Sequence, residues 1–125
     1  MEFRDDQAIY LQIADLLSEH ILLEKWKAGD RIPSVRELAV SIEVNPNTVM
    51  RTFNYLQEKE IIFNKRGIGY FVADDALRRT RALRKEGFID QELPRLFKEM
   101  HLLNLSMEDL QKYYENYQKT RKKAE

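Results

Sequence analysis

The sequence predicts a mainly α-helical fold with one small β-hairpin, and three observations support this prediction. Apolar residues recur at helical spacing near the N-terminus, two helix-start signals follow in close succession, and two β-prone runs then flank a basic turn that contains glycine. Helix, short helix, amphipathic helix and hairpin, in this order, make a winged helix-turn-helix. We therefore expect a winged helix-turn-helix domain over residues 1–75 and a C-terminal two-helix tail over residues 76–125.

The first helix is predicted from about Asp6 to Glu24. Residues at intervals of three and four form its apolar stripe, namely Ile9, Ile13, Leu16, Leu17 and Ile21. Acidic side chains fall outside this stripe, so we expect the helix to pack against a core along one side only. Gly29 marks the turn that follows.

Two further helices begin at well-defined capping signals. Ser34 and Glu37 form a capping box, in which each side chain bonds the backbone amide of the other residue. Asn45 is a favoured N-cap residue, and Pro46 suits the first helical position because an N–H there would have no partner. The second helix is therefore short, because the third begins soon after it.

The third helix is predicted to be amphipathic. Val49, Phe53 and Leu56 recur at intervals of four and three and form a narrow apolar face. Polar and amphipathic side chains gather on the opposite side, namely Asn47, Thr48, Arg51, Asn54 and Tyr55. After this helix, residues 61–64 and 68–72 form two β-prone runs around the turn Lys65-Arg66-Gly67, which predicts a hairpin.

Composition excludes several classes of protein. The chain has no cysteine, no apolar run long enough to span a membrane and no signal peptide, so we expect a cytoplasmic protein that does not contact a membrane. His20 and His101 are isolated, and neither a phosphate-binding glycine loop nor a metal-ligand spacing is present. We therefore expect no enzymatic activity, no cofactor and no metal site.

Charge is balanced overall but unevenly distributed. Residues 1–75 hold 9 Lys and Arg against 13 Asp and Glu, whereas residues 76–125 hold 12 against 8. No carboxylate occurs over residues 44–57 or 61–73, the two segments that contain Arg51, Lys65 and Arg66. A local electropositive surface on a neutral protein favours site-specific binding over general adhesion to phosphates.

The exposed face of the third helix has the chemistry that reads DNA bases. An α-helix fits the major groove, where amide and guanidinium groups recognise base edges, so Asn47, Thr48 and Arg51 are the candidate readers. Arg36 is placed to contact the phosphate backbone, and a hairpin tip with Lys65, Arg66 and Gly67 could lie in the adjacent minor groove. A winged helix used for protein–protein contact stays open as the alternative, although it should expose apolar anchors on that face.

Three sequence blocks resemble the GntR family of bacterial transcription regulators. They are GDRIPSVRELA at residues 29–39, VNPNTV at residues 44–49 and GIGYFV at residues 67–72, and the resemblance extends over about residues 7–73. The asparagine-rich start of the third helix and the short tail are similar to the YtrA subfamily. The resemblance implies a homodimeric regulator, usually a repressor, that binds an inverted repeat. It also implies DNA contacts by Arg36, Asn45, Asn47, Thr48, Arg51, Arg66 and Gly67.

The chain departs from the family pattern at two positions. Glu43 stands where the family usually has glycine, so a left-handed backbone there would cost free energy locally. Met50 stands where some members carry an arginine that contacts DNA. We therefore expect a base preference different from theirs.

The C-terminal tail carries an apolar set that we expect to form one side of a dimer interface. Its members are Phe88, Leu93, Leu96, Phe97, Met100, Leu110, Tyr113, Tyr114 and Tyr117. Folding of this set back onto its own winged helix stays open as the alternative. Two helices of one subunit are too few to enclose a metabolite pocket, so no effector is expected to bind within one tail. Pro94 predicts a kink or break in the helical pattern.

Overall fold

The computed structural model describes residues 7–124 of the chain. Six α-helices, a π-helical turn and two strands follow one another in this part of the chain. From the N-terminus, they begin with α1 (Ile9–Leu22), α2 (Val35–Ile42), α3 (Pro46–Glu58), β1 (Ile62–Lys65), β2 (Gly69–Val72) and α4 (Ala76–Gly87). The π-helical turn (Phe88–Glu92), α5 (Leu93–Leu102) and α6 (Met107–Ala124) complete it. The predicted fold class, mainly α with a winged helix-turn-helix order, is confirmed.

Helix α1 packs its apolar stripe inward as expected. Ile13, Leu17 and Ile21 are buried, whereas Ile9 remains 45% exposed at the first position of the helix. The predicted start at Asp6 lies outside the described residues. After Leu22 the chain turns through Glu24, a non-glycine residue in the left-handed region with φ of 57°.

The two antiparallel strands form the hairpin, and a third segment extends it by one bridge. Lys65 pairs with Gly69 across the turn, and Ile62 pairs with Val72 at the other end. Arg31 forms an isolated antiparallel bridge with Phe71. Since side chains alternate between the two faces of a sheet, Ile62 and Val72 face the core, where both are buried.

A hydrophobic core packs α1, α2, α3, the two strands and the first turn of α4 together. Phe53 lies fully buried at its centre, and its ring meets the Tyr70 ring edge-on with 4.7 Å between centroids. Thr52 is fully buried beside it and donates its hydroxyl to the backbone oxygen of Tyr10 at 2.8 Å. Apolar residues from α1, α2, α3, both strands and Ala76 of α4 complete the core.

The chain divides into two compact units after Arg84, whereas the sequence predicts a domain boundary after Asp75. Ala76 and Leu83 pack with the core of the first unit because they occupy the inner side of α4. In the second unit, Pro94 stands in the first turn of α5, directly after the π-helical turn. This break agrees with the expected effect of Pro94, whose missing N–H and bulky ring interrupt regular α-helical bonding.

The last helix begins at a second capping box. The Ser106 amide donates to the Asp109 carboxylate, and the Asp109 amide donates to the Ser106 hydroxyl, both at 3.0 Å. Asn104, with φ of 55°, makes the turn between α5 and α6. Over residues 7–124, no helix combines the length and the apolar character that crossing a bilayer requires.

Candidate nucleic-acid interface

Helix α2 has a defined residue at each end, and a tight turn joins its C-terminal end to α3. The Ser34 hydroxyl accepts from the Glu37 amide at 3.1 Å, and the Glu37 carboxylate accepts from the Ser34 amide at 3.3 Å, so the predicted capping box is present. Glu43 ends α2 in the left-handed region, with φ of 56° and ψ of 50°. The chain thus accepts at Glu43 the backbone conformation for which glycine is the usual choice.

Asn45 builds the start of α3. Its side-chain oxygen accepts a hydrogen bond from the Asn47 amide at 2.8 Å, and Pro46 follows in the first turn. This bond uses one of the two acceptor sites of the Asn45 oxygen and leaves the side-chain NH₂ available to donate. Any contact of Asn45 with a nucleic acid is therefore expected to be donated to an acceptor such as a phosphate oxygen.

One edge of α3 presents polar side chains in register. Asn47, Arg51 and Asn54 are all exposed, and their spacing of four and three residues aligns them along the helix. Thr48, one turn before Arg51, is half-buried. Large apolar side chains are absent from the exposed surface of α3, so this edge lacks the anchors that a protein-binding surface would need.

Arg51 makes a contact with α1 that its position in the sequence does not indicate. Its guanidinium carbon lies 4.0 Å from the centroid of the Tyr10 ring, which α1 contributes. Tyr10 is half-buried and also meets the ring of Tyr55 edge-on, with 6.1 Å between centroids. The candidate reader on α3 therefore rests on an aromatic side chain from a different helix.

Tyr55 stays neutral at physiological pH. Burial raises the pKa of its phenol above the ordinary value of 10.0, and the nearby negative charge of Asp15 raises it further. The phenol beside the candidate reading edge is therefore a hydrogen-bonding group without charge.

The hairpin of β1 and β2, here called the wing, has an aromatic face beside its basic side chains. The Phe63 and Phe71 rings are stacked with 5.8 Å between centroids, and Lys65 Nζ lies 4.5 Å from the centroid of Phe71. Arg66 and Gly67 are exposed at the turn itself, where Gly67 has φ of 79°. The ring contact holds Lys65 against the side of the wing, whereas Arg66 is at its tip.

Arg31 is a third basic residue at the wing, and its place there is not evident from the sequence. It pairs with Phe71, so its side chain shares the sheet face of Phe71, and it crosses over Gly69. A Cβ built on Gly69 would lie only 3.0 Å from Arg31 Nε. The missing side chain at Gly69 therefore provides the space for Arg31, and only the three-dimensional pairing reveals this.

The remaining predicted site residues divide by exposure. Arg36 is exposed on α2, as a contact with the phosphate backbone of DNA requires. In the tail, Phe88, Phe97, Tyr113, Tyr114 and Tyr117 are 51–65% exposed. Leu93, Leu96 and Leu110 are half-buried, whereas Met100 is only 7% exposed and has little surface left to lose in a dimer.

Comparison with known proteins decides the family. The model described as "Bacterial regulatory proteins, gntR family" matches residues 9–72, which is half of the chain and includes α1, the helix-turn-helix and the wing. The chain belongs to the GntR family. The resemblance drawn from the three sequence blocks is thereby confirmed.

Relatives within the GntR family extend the similarity into the tail. "HTH-type transcriptional repressor YtrA" of Bacillus subtilis is 34% identical over 110 residues, which cover 88% of this chain and 84% of YtrA. "Uncharacterized HTH-type transcriptional regulator YhcF" of the same organism is 40% identical over 75 residues, which cover 60% of this chain and 62% of YhcF. These relatives are transcriptional regulators by name and not enzymes, in agreement with the expectation from the sequence.

Two solved structures extend the comparison. A putative regulator from Bacteroides thetaiotaomicron is 48% identical, with a TM-score of 0.73, and the match covers 90% of this chain and 99% of that one. The AraR DNA-binding domain, solved in complex with its operator ORR3, is 26% identical, with a TM-score of 0.53 over 58% of this chain and 86% of that one. The chain is thus a member of a family of DNA-binding transcriptional regulators.

Proposed function

We propose that the chain is a cytoplasmic transcriptional repressor that binds an inverted-repeat operator as a homodimer. The observation that carries the proposal is the edge of α3, where Asn47, Thr48 and Arg51 follow the Asn45-Pro46 helix start on a helix without exposed apolar anchors. The names of two relatives support it, since YtrA is a repressor and AraR was solved on an operator.

The chemistry of this edge matches the major groove. An arginine donates two parallel hydrogen bonds to guanine, and an asparagine pairs in the same way with adenine. Asn47 and Arg51 offer both groups on one exposed line of α3. Arg36, Arg66 and Gly67 would then fix the position of the helix through the phosphate backbone and the minor groove.

The exposed face of the second unit supports homodimerisation. Helix α6 extends over 18 residues, and none of its described side chains is fully buried. Tyr113, Tyr114 and Tyr117 lie on it at about 60% exposure or above, and Tyr114 and Tyr117 stack with 6.5 Å between ring centroids. Aromatic side chains without cover are characteristic of protein interfaces. A two-fold dimer would place its two α3 helices ~34–36 Å apart, which matches successive major grooves.

Selection from random duplex DNA followed by a titration tests the proposal. The full chain would first be used to select duplexes, and fluorescence anisotropy would then give the Kd of the best duplex over a series of salt concentrations. We expect log Kd to rise linearly with log salt, because binding to phosphates releases counterions. Arg51→Ala should weaken binding by about tenfold or more, since a good base contact is worth about 1–3 kcal/mol.

Lys25→Ala is the matched control for charge removal. Lys25 is exposed beyond the end of α1 and has no place in the candidate interface, so its loss should leave Kd within about twofold. Two results would refute DNA reading by α3. One is a Kd that does not change with salt concentration, and the other is an Arg51→Ala variant that binds as tightly as the Lys25→Ala variant. A selection that yields no preferred duplex would favour the protein–protein alternative.

A further inference from the structure

Tyr10 of α1 lies beneath the candidate reader of α3. The guanidinium carbon of Arg51 is 4.0 Å from the centroid of the Tyr10 ring, well within the range of a cation–π contact. In residues 7–124, no carboxylate forms a salt bridge with Arg51. The aromatic ring is therefore the contact that restrains the guanidinium in this part of the chain.

The backbone and ring of Tyr10 are themselves fixed to α3. Thr52, the residue after Arg51, is fully buried and donates its hydroxyl to the Tyr10 carbonyl at 2.8 Å. Tyr55, one turn beyond Arg51, meets the Tyr10 ring edge-on at an interplanar angle of 75°. The hydrogen bond to its carbonyl and the contact with its ring thus hold Tyr10 beside the Arg51 side chain.

A guanidinium that lies over a ring still has N–H groups available, because it carries five donors. Those groups point outward from the rim of the planar head, and they are the groups that donate to the O6 and N7 atoms of guanine. Arginine otherwise loses considerable rotamer freedom when it binds a base edge. A ring that already orders the side chain reduces this loss, and Arg51 remains exposed while it rests on Tyr10.

We propose that Tyr10 is a positioning residue that orders Arg51 for base recognition through its aromatic face. This inference rests on the proposed function, because it requires Arg51 to read DNA. It assigns to α1, which lies outside the helix-turn-helix, a part in the affinity for the operator that acts through Arg51. The phenol hydroxyl has no role in it.

A double-mutant cycle on the full chain and its selected duplex tests the inference. Tyr10→Leu should weaken binding by about two- to fivefold, the range expected for an exposed cation–π contact. In the Arg51→Ala background, Tyr10→Leu should cause no further loss, because the group that it positions is gone. Tyr10→Phe keeps the ring and should bind as the wild type does.

Three results would overturn the inference. They are an equal loss from Tyr10→Leu with and without Arg51, a Tyr10→Phe variant as weak as Tyr10→Leu, and full affinity for Tyr10→Leu. The proposed function fails differently, since it fails if Arg51→Ala itself binds with wild-type affinity. Thermal melting of each variant shows whether a lower affinity comes with a lower stability.

Fluorinated phenylalanines at position 10 keep the test independent of folding. Successive fluorine atoms weaken the negative face of the ring but preserve its shape and its packing against Tyr55. We expect Kd to rise stepwise from phenylalanine through the mono-, di- and trifluoro rings. A Kd that does not change along this series would exclude a cation–π contact as the means of positioning.

Discussion

The two units of the chain use their apolar residues in opposite ways. In the first unit, large side chains such as Phe53, Leu56 and Ile61 are at most 1% exposed. In the described part of the second unit, Met100 is the buried large apolar residue, whereas Phe88, Phe97 and Tyr117 are more than half exposed. The first unit is thus held by its own core, whereas the proposed homodimer would cover the exposed apolar side chains of the second unit.

The largest difference is expected between two phenylalanines, one from each unit. Phe53→Ala should lower the free energy of unfolding of the first unit by about 3–5 kcal/mol, since it leaves a cavity at the centre of the core. Phe97→Ala should leave that free energy within about 0.5 kcal/mol, because Phe97 is 51% exposed and belongs to the second unit.

Urea unfolding followed by tryptophan fluorescence measures this difference. Trp26 is the single tryptophan of the chain, and it packs against the core of the first unit, so its signal reports that unit. Equal shifts of the transition by the two substitutions would mean that the two units do not differ in the way their burial suggests.

The exposed face of the tail should control association. Phe97→Ala combined with Tyr114→Ala should raise the dimer dissociation constant by about tenfold or more, because aromatic residues dominate the energetics of interfaces. Lys98→Ala is the matched control, since Lys98 is an exposed polar neighbour of Phe97. Analytical ultracentrifugation of the three proteins gives the comparison. A dimer unaffected by the double variant would locate the association surface elsewhere.

Two buried threonines sharpen the account of the first unit. Thr52 donates to Tyr10, whereas the Thr80 hydroxyl is buried without a hydrogen-bond partner in the described chain. Thr52→Val should therefore destabilise the unit by about 1 kcal/mol, and Thr80→Val should stabilise it by about 1 kcal/mol. The same urea experiment separates the two. Destabilisation by Thr80→Val would show that its hydroxyl has a partner in solution.

The smallest effect concerns the start of α6. Hydrogen bonds with the backbone amide and the side chain of Ser106 lower the pKa of the Asp109 carboxyl below its ordinary value of 3.8. The cap therefore contributes fully above the ordinary aspartate range and is lost as the pH falls through the lowered pKa. An NMR titration should place the midpoint of the Ser106 amide shift below 3.8, the ordinary value for aspartate. A midpoint at or above that value would contradict the capping contact.

Local features of this fold could be predicted from the sequence because neighbouring residues determine them. The capping box of Ser34 and Glu37 and the helix start at Asn45 and Pro46 appear as expected. The family's usual glycine at position 43 raises the question of a left-handed backbone at Glu43, and the structure has this conformation. The apolar face of α3 followed from spacing alone.

Contacts between distant parts of the chain could not be predicted in this way. Tyr10 and Arg51 are brought together only when α1 packs against α3, and Arg31 reaches Gly69 only through its bridge to Phe71. Neither pair has a sequence spacing that would mark it. The exposed edge of α3 was thus predictable from the sequence, but the side chain that supports Arg51 was not.

We propose that the first unit binds DNA and the second unit forms the dimer. The most direct test is the mass of the complex that the full chain forms with its selected duplex. Light scattering coupled to size-exclusion chromatography should give two chains on one full inverted repeat. The variant with Phe97→Ala and Tyr114→Ala should bind the same duplex more weakly while its first unit stays folded. A complex that contains a single chain, or wild-type affinity in that variant, would contradict the claim that DNA binding by the first unit depends on dimerisation through the second.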